Sequence, residues 1–214
     1  MKQFKKILLI VGFLCGVGHV FAQGRHLSGD PTRKKFDQLL KETNLQFTFP
    51  SGFSVIPPVD NDDFSYDFAM ELPGHDFEVW IQVKSERQNW FSYEKARHDN
   101  TQKELANPDS MYVDMSRATA AALSGDNGDN NILVRNMPPD VLARYNADAG
   151  KSYLINLSDQ PITKHYKYAL LVALQKNHTG TLIAVYFTNE KDADFYREVY
   201  RAAHCLRFGY QPGK

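Results

Sequence analysis

The stretch at residues 64–86, FSYDFAMELPGHDFEVWIQVKSE, decides the fold class. Phe64, Tyr66, Phe68, Met70 and Leu72 alternate with Ser65, Asp67, Ala69 and Glu71. A period of two is the signature of a strand, whose successive side chains leave opposite faces. Pro73-Gly74-His75-Asp76 supplies a reversal, after which Phe77, Val79, Ile81 and Val83 alternate with Glu78, Trp80, Gln82 and Lys84. The stretch predicts an antiparallel hairpin.

Working outward toward the amino end, residues 34–43 carry Phe36, Leu39 and Leu40 at helical spacing behind the start signals Asp30 and Pro31. Leu45, Phe47 and Phe49, then Phe53 and Val55, flank the turn Pro50-Ser51-Gly52 and predict two short strands. Toward the carboxyl end, helix formers dominate, and Pro108 divides them into helices near 92–106 and 111–124. SGDNGDNNIL at 124–133 reads as a polar loop, a hinge between the helical middle and the strands that follow. Pro138-Pro139-Asp140 opens a short helix with Val141, Leu142 and Tyr145 on its apolar side.

Strands are predicted at 151–157, 166–174 and 181–188, the last two joined by the turn KNHTG. Their runs ALLVAL and LIAVYF are continuously apolar, as in strands covered on both faces. A final helix at 192–206 presents Phe195, Val199, Ala202 and Leu206, with Asp192 as its cap. Strand runs broken by a block of helices argue for α+β, a mainly antiparallel sheet flanked by helices in an α/β/α sandwich.

The order of these elements resembles the Mog1/PsbP-like fold, including its small secreted or lipid-anchored bacterial members. The residues that carry the likeness are FTFPSGF at 47–53, the late hairpin and the closing helix ending in Leu206-Arg207-Phe208. YNADAG at 145–150 is similar to an FNAD-x-G stretch of uncharacterised secreted bacterial proteins of this kind. The resemblance implies an architecture whose characterised members mostly act as accessory or assembly factors that bind other proteins. No position here matches their functional residues, so it implies no site.

The chain opens with MKQFKKILLIVGFLCGVGHVFAQ, in which Lys2, Lys5 and Lys6 precede an apolar run closed by Ala22. That pattern is a secretory signal, with cleavage expected after Ala22. The run is shorter than the ~20 residues a bilayer span needs. Cys15 lies inside the run behind Leu14 instead of at its end, which does not fit a lipid-bearing first residue. The expected organisation is a signal peptide at 1–22, a polar lead at 23–33, one α+β domain at 34–208 and a tail at 209–214.

The expected address is the periplasm or the exterior, with no transmembrane segment after cleavage. Removing residues 1–22 takes away three lysines and no acid, so the 25 basic residues fall to 22 against 25 acidic ones. A balance of −3 disfavours nucleic acid as a partner. Cys205 is then the one remaining cysteine, so no internal disulfide forms.

Several stretches suggest chemistry and then fail its requirements. Counted from Asp126, the calcium-loop template meets Gly128 at position three, Asn131 where glycine belongs and Met137 where a glutamate belongs. Asp60-Asn61-Asp62-Asp63 reads as the same kind of solvated turn. Ser92-Tyr93-Glu94-Lys95 fits S-x-x-K, while Ser158-Asp159-Gln160 and His178-Thr179-Gly180 only approximate the later motifs of penicillin-recognising serine enzymes. A small exported serine hydrolase using Ser92, Lys95 and His178 is therefore the alternative, and Ser92 as a helix cap with HTG as a hairpin turn is preferred.

His75, His98, His165 and His178 have no metal-ligand spacing, and no metal or cofactor is expected. Trp80 lies on the polar phase of its strand, and Trp90-Phe91 follows at a strand-to-helix junction. A second core layer under the helices is preferred; the other readings make Trp80, Trp90 and Phe91 a surface for a protein or glycan, or Trp80 and Trp90 the lining of a glycan or small-ligand pocket. The leading expectation is a non-enzymatic exported domain that binds another envelope or secreted protein.

Overall fold

The computed structural model describes residues 31–61, 63–98, 106–125 and 131–210. The expected signal segment, most of the expected polar lead, Asp62, residues 99–105 of the helix expected near 92–106, the calcium-like residues 126–130 and the last four residues lie outside the described residues. Helix α1 (Pro31–Glu42) begins on its proline and buries Phe36, and the left-handed Asn44 (φ 50) turns the chain into β1 (Leu45–Phe47). Strands β2 (Ser54–Ile56), β3 (Phe68–Glu71) and β4 (Phe77–Ser85) lead to α2 (Arg87–His98). A 3-10 turn at Pro108–Ser110 runs into α3 (Met111–Ser124). Then come β5 (Ile132–Asn136), α4 (Pro139–Tyr145), β6 (Ala149–Asn156), β7 (Tyr168–Lys176), β8 (Gly180–Thr188), α5 (Ala193–Ala203) and β9 (Leu206–Phe208).

Seven strands form one sheet in the order β2-β3-β4-β8-β7-β6-β5, with every neighbouring pair antiparallel. β1 and β9 make a separate two-stranded sheet. Phe77, Val79, Ile81 and Val83 of β4 face a core closed by α1, α4, α5 and the small sheet. Trp80 of β4, with Ile183, Val185 and Phe187 of β8, faces a second core closed by α3 through Tyr112, Ala120 and Leu123. The molecule is thus α+β, a mainly antiparallel sheet with helices on both faces. Every residue of β8 is buried, as its unbroken apolar run requires.

Four expectations need correction. The strand expected from Phe64 starts only at Phe68, because the Asp67 carboxylate takes the Val83 N–H (2.9 Å) that a ladder partner would have taken. The Tyr66 N–H turns instead to the Val59 carbonyl (2.9 Å). The phase slips there, so Phe64 and Tyr66 join the second core while Phe68, Met70 and Leu72 join the first. α2 starts at Arg87 instead of near 92, with the Glu86 carbonyl accepting the Trp90 N–H (2.8 Å), so Ser92 lies inside the helix and caps nothing.

The supposed hinge ends in a strand, since Ile132 and Leu133 pair with Ile155 and Leu154. Leu206-Arg207-Phe208 is likewise a strand instead of the end of α5. The Asp192 cap is present, accepting the Phe195 N–H at 2.8 Å.

Candidate functional site

The residues singled out for function fall at two depths. Trp80 is 1% exposed, its indole N–H donates to Glu78 Oε1 (2.6 Å), and its ring lies 4.4 Å from that of Phe187. It belongs to the second core and offers no surface to a ligand. Glu78 is itself buried, and its other oxygen accepts from Lys164 Nζ at 2.6 Å. A buried carboxylate needs such donors, and here an indole and an ammonium supply them.

Trp90 and Phe91 lie on α2, a helix without a single buried residue. It is held at its first turn and along one edge. The Glu86 side chain is wholly buried, receives a hydrogen bond from Asn89 Nδ2 (2.6 Å) and pairs with Lys84 Nζ (3.3 Å). A negative charge at a helix start also matches the helix dipole. The Trp90 ring stacks on Tyr93 (5.1 Å, 13°) and on His178 of the β7–β8 turn (4.0 Å, 26°).

His178 is fixed in turn. Its N–H donates to Asp109 Oδ1 (2.8 Å), and its Nε2 lies 3.4 Å from Asp109 Oδ2. Asp109 Oδ1 also accepts from Gln175 Nε2 (3.2 Å), and Gln175 Oε1 accepts from Thr181 Oγ1 (2.6 Å) in the buried part of the hairpin. A chain of polar contacts therefore runs from the sheet to the three-ring stack. Phe91, next to Trp90, is 73% exposed.

This arrangement does not assemble a nucleophile and base. Ser92 and Lys95 are exposed on α2, and no hydrogen bond joins Ser92 to Lys95 or His178 among the described residues. His178 is committed to Asp109 and the Trp90 ring. Ser158 accepts from Gln160 Nε2 (2.6 Å), and Asp159 pairs with His165 (2.5 Å), so the middle motif is occupied locally too. What the geometry can do is present an apolar ring on a rigid base. The sequence pointed to Trp90, Phe91 and His178 separately; it gave no sign that Asp109 and Gln175 tie them together, since that network joins residues 66 positions apart.

Among the described residues no group of three or more His, Cys, Asp or Glu could hold a metal ion, and no helix is long and apolar enough to cross a membrane. No family model matches the sequence. No curated protein matches it. The chain is similar to the solution structure of cyanobacterial PsbP (CyanoP) from Synechocystis sp. PCC 6803, with 11% identity, a TM-score of 0.41, and coverage of 78% of this chain and 88% of that one.

Proposed function

We propose that the chain is an exported accessory or assembly factor of the cell envelope that acts by binding another protein, with residues 1–22 removed and one α+β domain left as the working unit. One observation carries this reading: Phe91 stands 73% exposed on a helix whose neighbouring aromatic rings are locked in a stack. An aromatic side chain has only two torsions to fix on binding and offers a large apolar contact, the qualities of a hot spot. The ring of Trp90 already stacks on two others, so it favours a partner's apolar side chain packing against Phe91 over a sugar stacking on Trp90.

A photo-crosslinking amino acid placed at position 91 in cells tests the proposal. A discrete protein adduct in the envelope fraction is expected, absent when the label stands at Arg197. No adduct above that control would sink the protein-binding reading. Sequencing the secreted or periplasmic product should give Gln23 as its first residue, and an intact Met1 there would remove the export step. The hydrolase alternative predicts labelling of Ser92 by a fluorophosphonate; none is expected.

A further inference from the structure

We infer that β5, the outer edge of the seven-stranded sheet, takes up an extended segment of a partner protein as an eighth strand, with a carboxylate of that segment opposite Arg135. The inference rests on the protein-binding reading above and on none of the α2 residues.

Backbone geometry fixes which groups the edge offers. Along one strand of an antiparallel pair, residues alternately turn both backbone groups toward the neighbour and both away from it. Met137 and Gly150 continue the β5–β6 register, and the Met137 N–H donates to the Gly150 carbonyl (3.0 Å). Leu133 and Arg135 therefore face β6 as Met137 does, while Ile132, Val134 and Asn136 point their N–H and C=O groups out of the sheet. None of those outward groups has a hydrogen bond among the described residues.

A proline, a bulge or a very short strand blunts such an edge. β2, at the other edge, is three residues long and runs into Pro57-Pro58. β5 keeps one-to-one register over five residues, with no proline and no bulge. Its Leu133 and Val134 are 52% and 46% exposed. The edge is therefore open to an added strand in both hydrogen bonding and apolar contact.

Charge says which strand. Arg135 and Lys151 are the charged side chains of β5 and β6, and both are basic. Arg135 has no ion pair among the described residues, and Lys151 Nζ donates to the Asn136 amide oxygen at 2.8 Å. The acids of the flanking segments each hold a cation of their own: Asp114 with Arg117, Asp140 with Arg144, and Asp148 with Lys176. Asp126 and Asp129 precede the apolar end of β5 in sequence and lie outside the described residues. Side chains directly opposite across a strand pair are the ones that interact. A second copy is the poorer occupant, because a two-fold axis at Val134 sets Leu133 against the copy's Arg135 and brings two arginines to one face with no acid. An antiparallel segment with a carboxylate opposite Arg135 and an apolar side chain opposite Leu133 answers both positions.

Amide shifts of the isotope-labelled mature protein, titrated with acetyl-Thr-Glu-Val-Leu-Thr-amide, test this; the Glu falls opposite Arg135 and the Val opposite Val134. Saturable shifts confined to β5 and β6 are expected. N-methylation at the peptide's Val, whose N–H faces β5, should weaken binding about tenfold, while N-methylation at its Glu, whose N–H faces away, should change it less than about twofold. Exchanging the Glu for Lys should weaken binding about fivefold, and Arg135→Glu should restore it. Val134→Pro removes an outward N–H and no bond to β6, so it should abolish binding with the fold retained by circular dichroism. Phe91→Ala should bind like the wild type. Absence of saturable shifts at β5, equal loss from the two N-methyl peptides, or full binding by Val134→Pro would each overturn the inference. A dimer of the peptide-free protein that Val134→Pro dissociates would also overturn it, giving the edge to a second copy. A crosslink at Phe91 without peptide binding removes the β5 edge alone. Peptide binding without a crosslink removes the α2 surface alone.

Discussion

Asp67 holds a carboxylate that is 8% exposed, and burial raises its pKa above the ordinary value, partly offset by the Val83 N–H and by Lys35. Because the folded pKa is the higher one, the folded state binds more protons in the window above about pH 4, and stability from this group falls as pH rises through it. Asp67→Asn keeps an oxygen for the Val83 N–H and abolishes the titration. In urea unfolding it should gain on the wild type between about pH 4 and pH 7, and parallel curves at both pH values would refute this. Asp67→Ala strands the Val83 N–H and should cost about 1–3 kcal/mol at either pH. Cys205 is a second case of burial acting on a titratable group: its thiol is pushed up to about 12. Iodoacetamide at mildly alkaline pH should leave Cys205 of the native protein unlabelled and modify it fully in denaturant. The burial of Cys205 was legible from its residue type, whereas the role of Asp67 was not, because its strand position looked like any outward polar residue.

At the scale of elements, two turn glycines serve different ends. Gly74 in the β3–β4 turn has φ +78 and open space around it, so Gly74→Ala adds only backbone strain, about 1 kcal/mol. At Gly180 a Cβ would meet the Lys84 carbonyl oxygen at 2.5 Å and Thr43 Cγ2 at 2.8 Å. Gly180→Ala must push β8 from β4, where Ser85 faces Gly180, and should cost more than Gly74→Ala, about 3 kcal/mol. Thermal melts of the two variants check the order; equal shifts would mean the sheet yields at that corner. The hairpins were readable because alternation and turn residues agree over many positions. β5 was not: the polar cluster before it dominates the window, and Ile132-Leu133-Val134 has no alternation because most of the strand faces solvent. α2 was displaced because a buried acid, Glu86, opens it: its side chain pairs with nearby Lys84 and Asn89, but its N–H is held by the Thr179 carbonyl (3.0 Å) of the distant β7–β8 turn.

Across the whole molecule, the sheet of β1 and β9 is the one element that joins the two ends of the described chain. Leu45 pairs with Phe208 and Phe47 with Leu206, while the Gly209 N–H donates to the Asn44 carbonyl at 2.7 Å. Leu206 and Phe208 are 3% and 1% exposed and belong to the core that α1 covers. Truncation after Cys205 should therefore cost at least about 5 kcal/mol, judged from single large-to-small core changes. That is comparable with the whole stability of an ordinary domain. The truncated protein should show no sharp unfolding transition by circular dichroism, and a melt within a few degrees of the full chain would contradict this. The pairing also bears on timing. A polypeptide is made from its amino end, and strand Leu45–Phe47 waits for a partner, Leu206–Phe208, that is made long after it. Until then the first core lacks Leu206 and Phe208, so its closure comes late in the folding of a growing chain.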